Sequence, residues 1–177
     1  MAIYTKKGDK GETSIFASDK RVSKSSLRIS AIGTVDEVNS ALGAYLAFSK
    51  DTYLKKTIVG IQKDLFTLGS ILAGSKLRFS IAKTKKLEKI IDKLEGSLPV
   101  LKNFILPGGT KTASLLHLAR SFARRAEREV VALSEVEEVR PQILVYLNRL
   151  SDLIFMLARE ANAKKKASET IWKGRKN

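Results

Sequence analysis

Apolar residues recur at spacings of three and four along most of this chain, the period that puts them on one face of an α-helix. Over residues 25–49 the stripe runs Val35, Val38, Leu42, Tyr45 and Leu46; over 51–73 it runs Leu54, Ile58, Ile61, Leu65, Leu68 and Leu72. A shorter segment from Thr84 to Ser97 carries Leu87, Ile90, Ile91 and Leu94 before Gly96 and Pro99 end it. The fourth begins after Pro107-Gly108-Gly109 with Thr110 as N-cap, and its stripe is Ala119, Phe122, Ala123, Ala126, Val130 and Leu133. Pro141 suits the first turn of a fifth helix, which ends near Asn162. Its residues Ile143, Leu147, Leu150, Ile154, Leu157 and Ala161 step by four and three in turn, as a bundle seam does.

Five amphipathic helices with short connections can bury their stripes only against one another, so the pattern predicts an all-α, five-helix antiparallel bundle over residues 25–163. It leaves an irregular N-terminal arm, residues 1–24. It also leaves a basic tail, residues 164–177, with six basic residues, one Glu and only Ile171 and Trp172 as an apolar pair, expected to be loosely ordered. Neither an internal repeat nor a second domain is visible, so 1–177 reads as one domain.

Composition narrows the chemistry. The chain has no Cys and a single His, His117, which excludes disulfides, thiolate metal sites, a cysteine nucleophile and any multi-histidine metal site. A carboxylate-bridged di-iron site would need a pair of Glu-x-x-His motifs, and they are absent. His117 reads as a surface or boundary residue. With 33 Lys and Arg against 18 Asp and Glu, the net charge is +15, so the surface attracts anions: nucleotides, nucleic acid or acidic lipid. No stretch reaches the length of about 18 apolar residues that a membrane span needs, and the first ten residues lack an apolar signal core, so a cytoplasmic location is expected.

Three clusters can carry chemistry. The arm, Tyr4 to Phe16 (YTKKGDKGETSIF), mixes lysines, small hydroxyl residues and glycines that let backbone amides approach a phosphate, although it lacks the Walker A spacing and Gly-Asp-Lys-Gly also serves as an ordinary surface turn. On the fourth helix His117, Arg120, Arg124, Glu127 and Arg128 recur on roughly one face, with Arg125 beside them. They make either a polyphosphate grip with a carboxylate for a ribose hydroxyl or a solvated Arg/Glu face. On the fifth helix Asn148, Ser151 and Asp152 interrupt an apolar neighbourhood, either facing Arg120 or Arg124 or acting as structural hydrogen-bonders.

Four blocks together resemble the ATP:cob(I)alamin adenosyltransferases of the PduO type. They are the arm just quoted, Arg28–Gly43 with the core GTVDEVNSALG, Phe104–Val131 with ILPGG and ARSFARRAEREVV, and Tyr146–Asn162 (YLNRLSDLIFMLAREAN). Residues 51–98 carry no signature. The resemblance implies a homotrimer of five-helix bundles with each active site between neighbouring subunits. It implies transfer of the 5′-deoxyadenosyl group of ATP to the cobalt of cob(I)alamin, with magnesium held mainly through the ATP phosphates and no dedicated protein metal site. Arm residues Thr5, Lys6, Lys7, Gly8, Thr13 and Ser14, with Lys24, would wrap ATP; Arg124, Arg125, Glu127, Arg128 and Asn148 would complete that site. Arg124, Arg120 and Phe104 would act at the reacting centre, Phe104 closing the lower face of the corrin. Asp36 and Arg120 would pair between subunits, and Asp152 matches a further motif position. A flavin-dependent reductase and an adenosylcobalamin-dependent enzyme are the partners implied, with no role for nucleic acid or membrane.

Overall fold

A computed structural model describes residues 4–16 and 21–174. Five helices, α1 (Leu27–Phe48), α2 (Thr52–Leu72), α3 (Ala82–Glu95), α4 (Lys111–Ser134) and α5 (Pro141–Lys164), follow a two-stranded antiparallel hairpin, β1 (Glu12–Ser14) and β2 (Arg21–Ser23). The helices run alternately up and down. By that parity α3 and α5, which pack against each other, are parallel neighbours, while α1–α4, α4–α5 and α1–α2 are antiparallel. Their stripes meet in one core, in which Leu42, Ile58, Leu65, Leu116, Leu147 and Leu150 are fully buried.

Side chains set the helix starts. The Asp51 carboxylate accepts the Leu54 amide at 2.9 Å, and the Thr110 hydroxyl accepts the Ala113 amide at 3.2 Å, each satisfying a first-turn donor. Pro141 begins α5, where a missing N–H costs nothing. No helix among the described residues is long and apolar enough to cross a membrane.

Four expectations are corrected. The arm is not wholly irregular: Glu12, Thr13 and Ser14 pair with Ser23, Val22 and Arg21, so a β-hairpin accompanies the helices. Its turns use left-handed backbone at Lys6 (φ 57°) and Gly11 (φ 81°). The tail is not loose over residues 165–174. Residues 170–172 fold back along 104–106 through one isolated antiparallel bridge, with the Leu106 amide donating to the Thr170 carbonyl and the Trp172 amide to the Phe104 carbonyl, both at 2.8 Å. Residues 175–177, the rest of the expected tail, lie outside the described residues, as do 1–3 and 17–20 of the arm. His117 is not at the surface; it is 3% exposed and packs against Phe155, because its turn of α4 lies under α5. Phe122, placed in the buried stripe, is only partly buried and stacks under the Arg125 guanidinium, whose centre lies 5.2 Å from the ring.

Candidate functional site

The hairpin organises the arm into a cradle. The Lys24 ammonium donates to the Gly8 carbonyl at 2.9 Å, and a Cβ added at Gly8 would lie 3.1 Å from that ammonium. A side chain at position 8 would therefore push the lysine away. The Lys24 amide closes on Gly11 at 2.8 Å, while Arg21 pairs with Glu12 and donates to the Lys7 carbonyl, pinning the turn from beneath. Thr5, Lys6, Lys7 and Ser14 are exposed around this turn, and Thr13 is half-buried. The result is a glycine turn with the Lys24 ammonium on the Gly8 carbonyl and the exposed Lys6 and Lys7 beside it, a local charge that suits a phosphate.

The second cluster spans α4 and α5. Asn148 donates from its side-chain amide to Glu127 at 2.7 Å, which fixes one carboxylate oxygen and leaves the other free to accept from a ligand hydroxyl. Beside this pair Arg124 and Arg128 are exposed. Arg124 makes no side-chain hydrogen bond or ion pair among the described residues, and Arg128 donates only to the Arg124 carbonyl. Arg125 is engaged by Glu37 of α1. Arg120 is half-buried with its Nε lacking a partner among the described residues, and burial first, then the Arg124 charge, lowers its affinity for the proton. A guanidinium in that position suits an anion, and none of the described residues supplies one by an ion pair. Asp152 is held by Arg149 of its own helix at 2.8 Å, so the structure does not bring it to the α4 arginines.

Asp36 is exposed on α1 and does not meet Arg120 within the chain. It lines an apolar cleft of 890 Å³ between α1 and α2, together with Ile32, Leu65 and Phe66, the last 69% exposed. Phe104 is 79% exposed at the opposite end of the bundle from the arm. The arm adjoins the start of α1 and the end of α2, where Gly74 touches the Phe16 carbonyl; Phe104 leads into α4, whose start lies at the far end of α1. The 22 residues of α1 separate the two by about 33 Å, further than one nucleotide reaches. No hydrogen bond joins the arm to Arg124, Glu127, Arg128 or Asn148 among the described residues.

Three residues that the sequence reading did not single out shape the Phe104 end. Asn162, 2% exposed, accepts the Thr110 amide at 2.9 Å and donates to the Gly108 carbonyl at 3.1 Å, clamping the Pro107-Gly108-Gly109 loop. The buried Arg159 pairs with the partly exposed Glu169 of the returning tail. A charged residue within the apolar run of α5, beside Ala158, was the available signal for Arg159.

Comparison with known proteins gives the same family from sequence and from shape. The pattern of the cobalamin adenosyltransferase family matches residues 3–161. The chain is 45% identical to the corrinoid adenosyltransferase of Bacillus subtilis over 93% of this chain and 88% of that one. It is 42% identical to the corrinoid adenosyltransferase PduO of Citrobacter freundii over 90% of this chain, and spans 49% of the length of that longer relative. Among solved structures, a variant of the PduO-type ATP:corrinoid adenosyltransferase from Lactobacillus reuteri, in complex with cobalamin and ATP, superposes with a TM-score of 0.94. It is 37% identical and covers 98% of this chain and 100% of the other.

Proposed function

The chain belongs to the cobalamin adenosyltransferase family, and from that premise we propose how its parts divide the work of moving the 5′-deoxyadenosyl group of ATP onto the cobalt of cob(I)alamin. The cobalt(I) centre attacks the 5′ carbon of ATP. A cobalt–carbon bond forms, the carbon–oxygen bond breaks, and triphosphate leaves with the electron pair. Because cobalt(I) is itself the nucleophile, the protein needs no base or covalent nucleophile, in keeping with a chain that has no Cys. Its task is to hold the ribose so that the 5′ carbon is presented to the metal, and to stabilise charge gathering on the triphosphate.

The arm cradle, with Thr5, Lys6, Lys7, Gly8, Thr13, Ser14 and Lys24, takes the phosphates. Arg124 and Arg128 neutralise the leaving group, and the Asn148-oriented Glu127 carboxylate accepts from the ribose. Arg125, fixed by Glu37, stiffens this face. Magnesium, a hard cation that prefers phosphate and water oxygens, enters with the ATP phosphates. Phe104 shields the lower face of the corrin.

The observation that carries this reading is the α4 face on which Arg124 and Arg128 have no acidic partner among the described residues, set beside the Asn148–Glu127 pair, with no hydrogen bond joining it to the arm. The arm of one chain and the arginine face of the next are taken to make one site. In a homotrimer the Asp36 of one protomer meets the Arg120 of the next, and the apolar α1–α2 cleft is covered. The reaction is assigned to the cytoplasm, supplied by a flavin-dependent reductase and drained by an adenosylcobalamin-dependent enzyme. The nucleic-acid or lipid-binding alternative that a charge of +15 allows leaves the Glu127–Asn148 pair and the glycine cradle without a task.

The test is anaerobic: protein, ATP, magnesium and chemically reduced cobalamin are mixed, and absorbance is followed for cobalt–carbon bond formation. Protein-dependent formation of adenosylcobalamin with triphosphate release supports the assignment; binding without turnover contradicts it.

A further inference from the structure

Arg159 is buried near the C-terminal end of α5, off its apolar stripe, its side chain only 6% exposed. A guanidinium there must find partners for its donors. Its Nε–H is shared between the two carboxylate oxygens of Glu169, at 3.1 and 3.2 Å, and its Nη2 donates to the Pro99 carbonyl at 2.9 Å. One side chain thus ties together α5, the connection from α3 to α4, and the chain that follows α5.

Immediately beyond this tie, residues 170–172 pair with 104–106 through the two 2.8 Å backbone hydrogen bonds and an antiparallel bridge between Ile105 and Ile171. The pairing puts Trp172 and Phe104 on the wall of an 810 Å³ cleft that also includes Leu101 and Gly174. Trp172 is 54% exposed, and a Cβ at Gly174 would lie 3.1 Å from its ring, so the indole is folded over backbone with no room for another side chain. Two large rings left open on one cleft wall suit a broad, flat ligand.

We propose that Arg159 and Glu169 are positioning residues for the corrinoid half of the site: their ion pair holds residues 170–172 across the Phe104 segment, so that Trp172 walls the cleft before a corrinoid arrives. The proposal rests on the corrinoid adenosyltransferase reading and on Phe104 facing the corrin. A wall tied down in the free protein need not be ordered at each binding event, so the pair acts on corrinoid affinity and leaves the nucleotide half untouched.

Trp172 is the only tryptophan in the chain, so its fluorescence reports the tail alone. In Glu169→Ala the emission should shift to the red and become more accessible to a soluble quencher. The KM for cobalamin should then rise about tenfold, with the KM for ATP within about twofold of the parent value. A second variant ending at Glu169 keeps the ion pair and removes Trp172. It should show the same cobalamin KM increase with full helical circular dichroism, and it decides the matter where Glu169→Ala fails to fold. Three results overturn the proposal: a tail that stays docked in Glu169→Ala, a freed or deleted tail with an unchanged cobalamin KM, or cobalamin and ATP KM values that rise together. Absence of adenosylcobalamin formation by the parent protein overturns the reading of function instead, and the fluorescence change still reports on the clasp.

Discussion

Replacing Gly109 with Ala strikes the loop that leads from Phe104 into α4, and the structure sets the size of the effect. Gly109 has φ 103°, and a Cβ there would lie 2.2 Å from the Asn162 side-chain oxygen and 2.5 Å from its nitrogen. Left-handed backbone alone costs an alanine about 1–2 kcal/mol. The collision also expels the Asn162 amide, which loses its bonds to the Thr110 amide and Gly108 carbonyl and leaves buried groups unpaired, for about 2–3 kcal/mol more. The sum is about 3–5 kcal/mol, a fall in melting temperature of roughly 10 °C for a chain of this length. Denaturant unfolding of four proteins, the parent, Gly109→Ala, Asn162→Ala and the double variant, separates the two contributions. With Asn162 already trimmed, only the backbone strain remains, so Gly109→Ala should cost about 1–2 kcal/mol there and the coupling should be about 2 kcal/mol. Equal losses in both backgrounds, or a total below about 1 kcal/mol in the parent, refute the clamp.

The remaining expectations concern the site and its surroundings. Arg124→Ala should lower kcat/KM by about two to three orders of magnitude while circular dichroism is unchanged, because the side chain is exposed and carries no structural bond; parental kinetics would remove it from the site. Phe104→Ala should slow the coupled reaction that starts from Co(II) more than the reaction given ready-made Co(I), since excluding a lower axial ligand eases reduction; equal losses contradict that role. Burial, then the Arg120 charge, holds the His117 imidazole below its ordinary value, with Glu169 opposing them. The unfolded chain therefore takes up this proton first as pH falls. The stabilisation is present above about pH 6.5 and lost as pH drops towards the folded value. Urea midpoints at pH 7.5 and 5.0 should differ less in His117→Leu than in the parent, and identical slopes would contradict this.

Much of the fold was legible because long stripes admit few readings. Leu54 to Leu72 and Ile143 to Ala161 could be nothing but buried helix faces, and Thr110 and Pro141 marked their helix starts as observed. The hairpin escaped because strands of three residues are too short to show alternation. The tail escaped for a different reason: its docking depends on Arg159, whose charge was hidden within an apolar run, and on a Glu ten residues away. His117 was misplaced although it lies four residues from the buried Ala113, because polarity was given more weight than position. At the site, the arginine face and Glu127 followed from helical spacing. The contact of Lys24 with Gly8 requires the hairpin to form first, and the proposed sharing of a site between chains leaves no trace in the spacing of one.

The central claim is that each nucleotide site takes its phosphate cradle from one protomer and its arginine face from the next. Subunit complementation tests it most directly. A Lys6→Ala/Lys24→Ala variant and an Arg124→Ala variant, each inactive alone, are unfolded, mixed in equal amounts and refolded together, and adenosylcobalamin formation is followed anaerobically by absorbance. In randomly mixed rings, about one site in four joins an intact arm to an intact α4 face, so activity should return to about a quarter of the parent. Activity no higher in the mixture than in either variant alone would mean that each chain builds its site by itself, and would contradict the account.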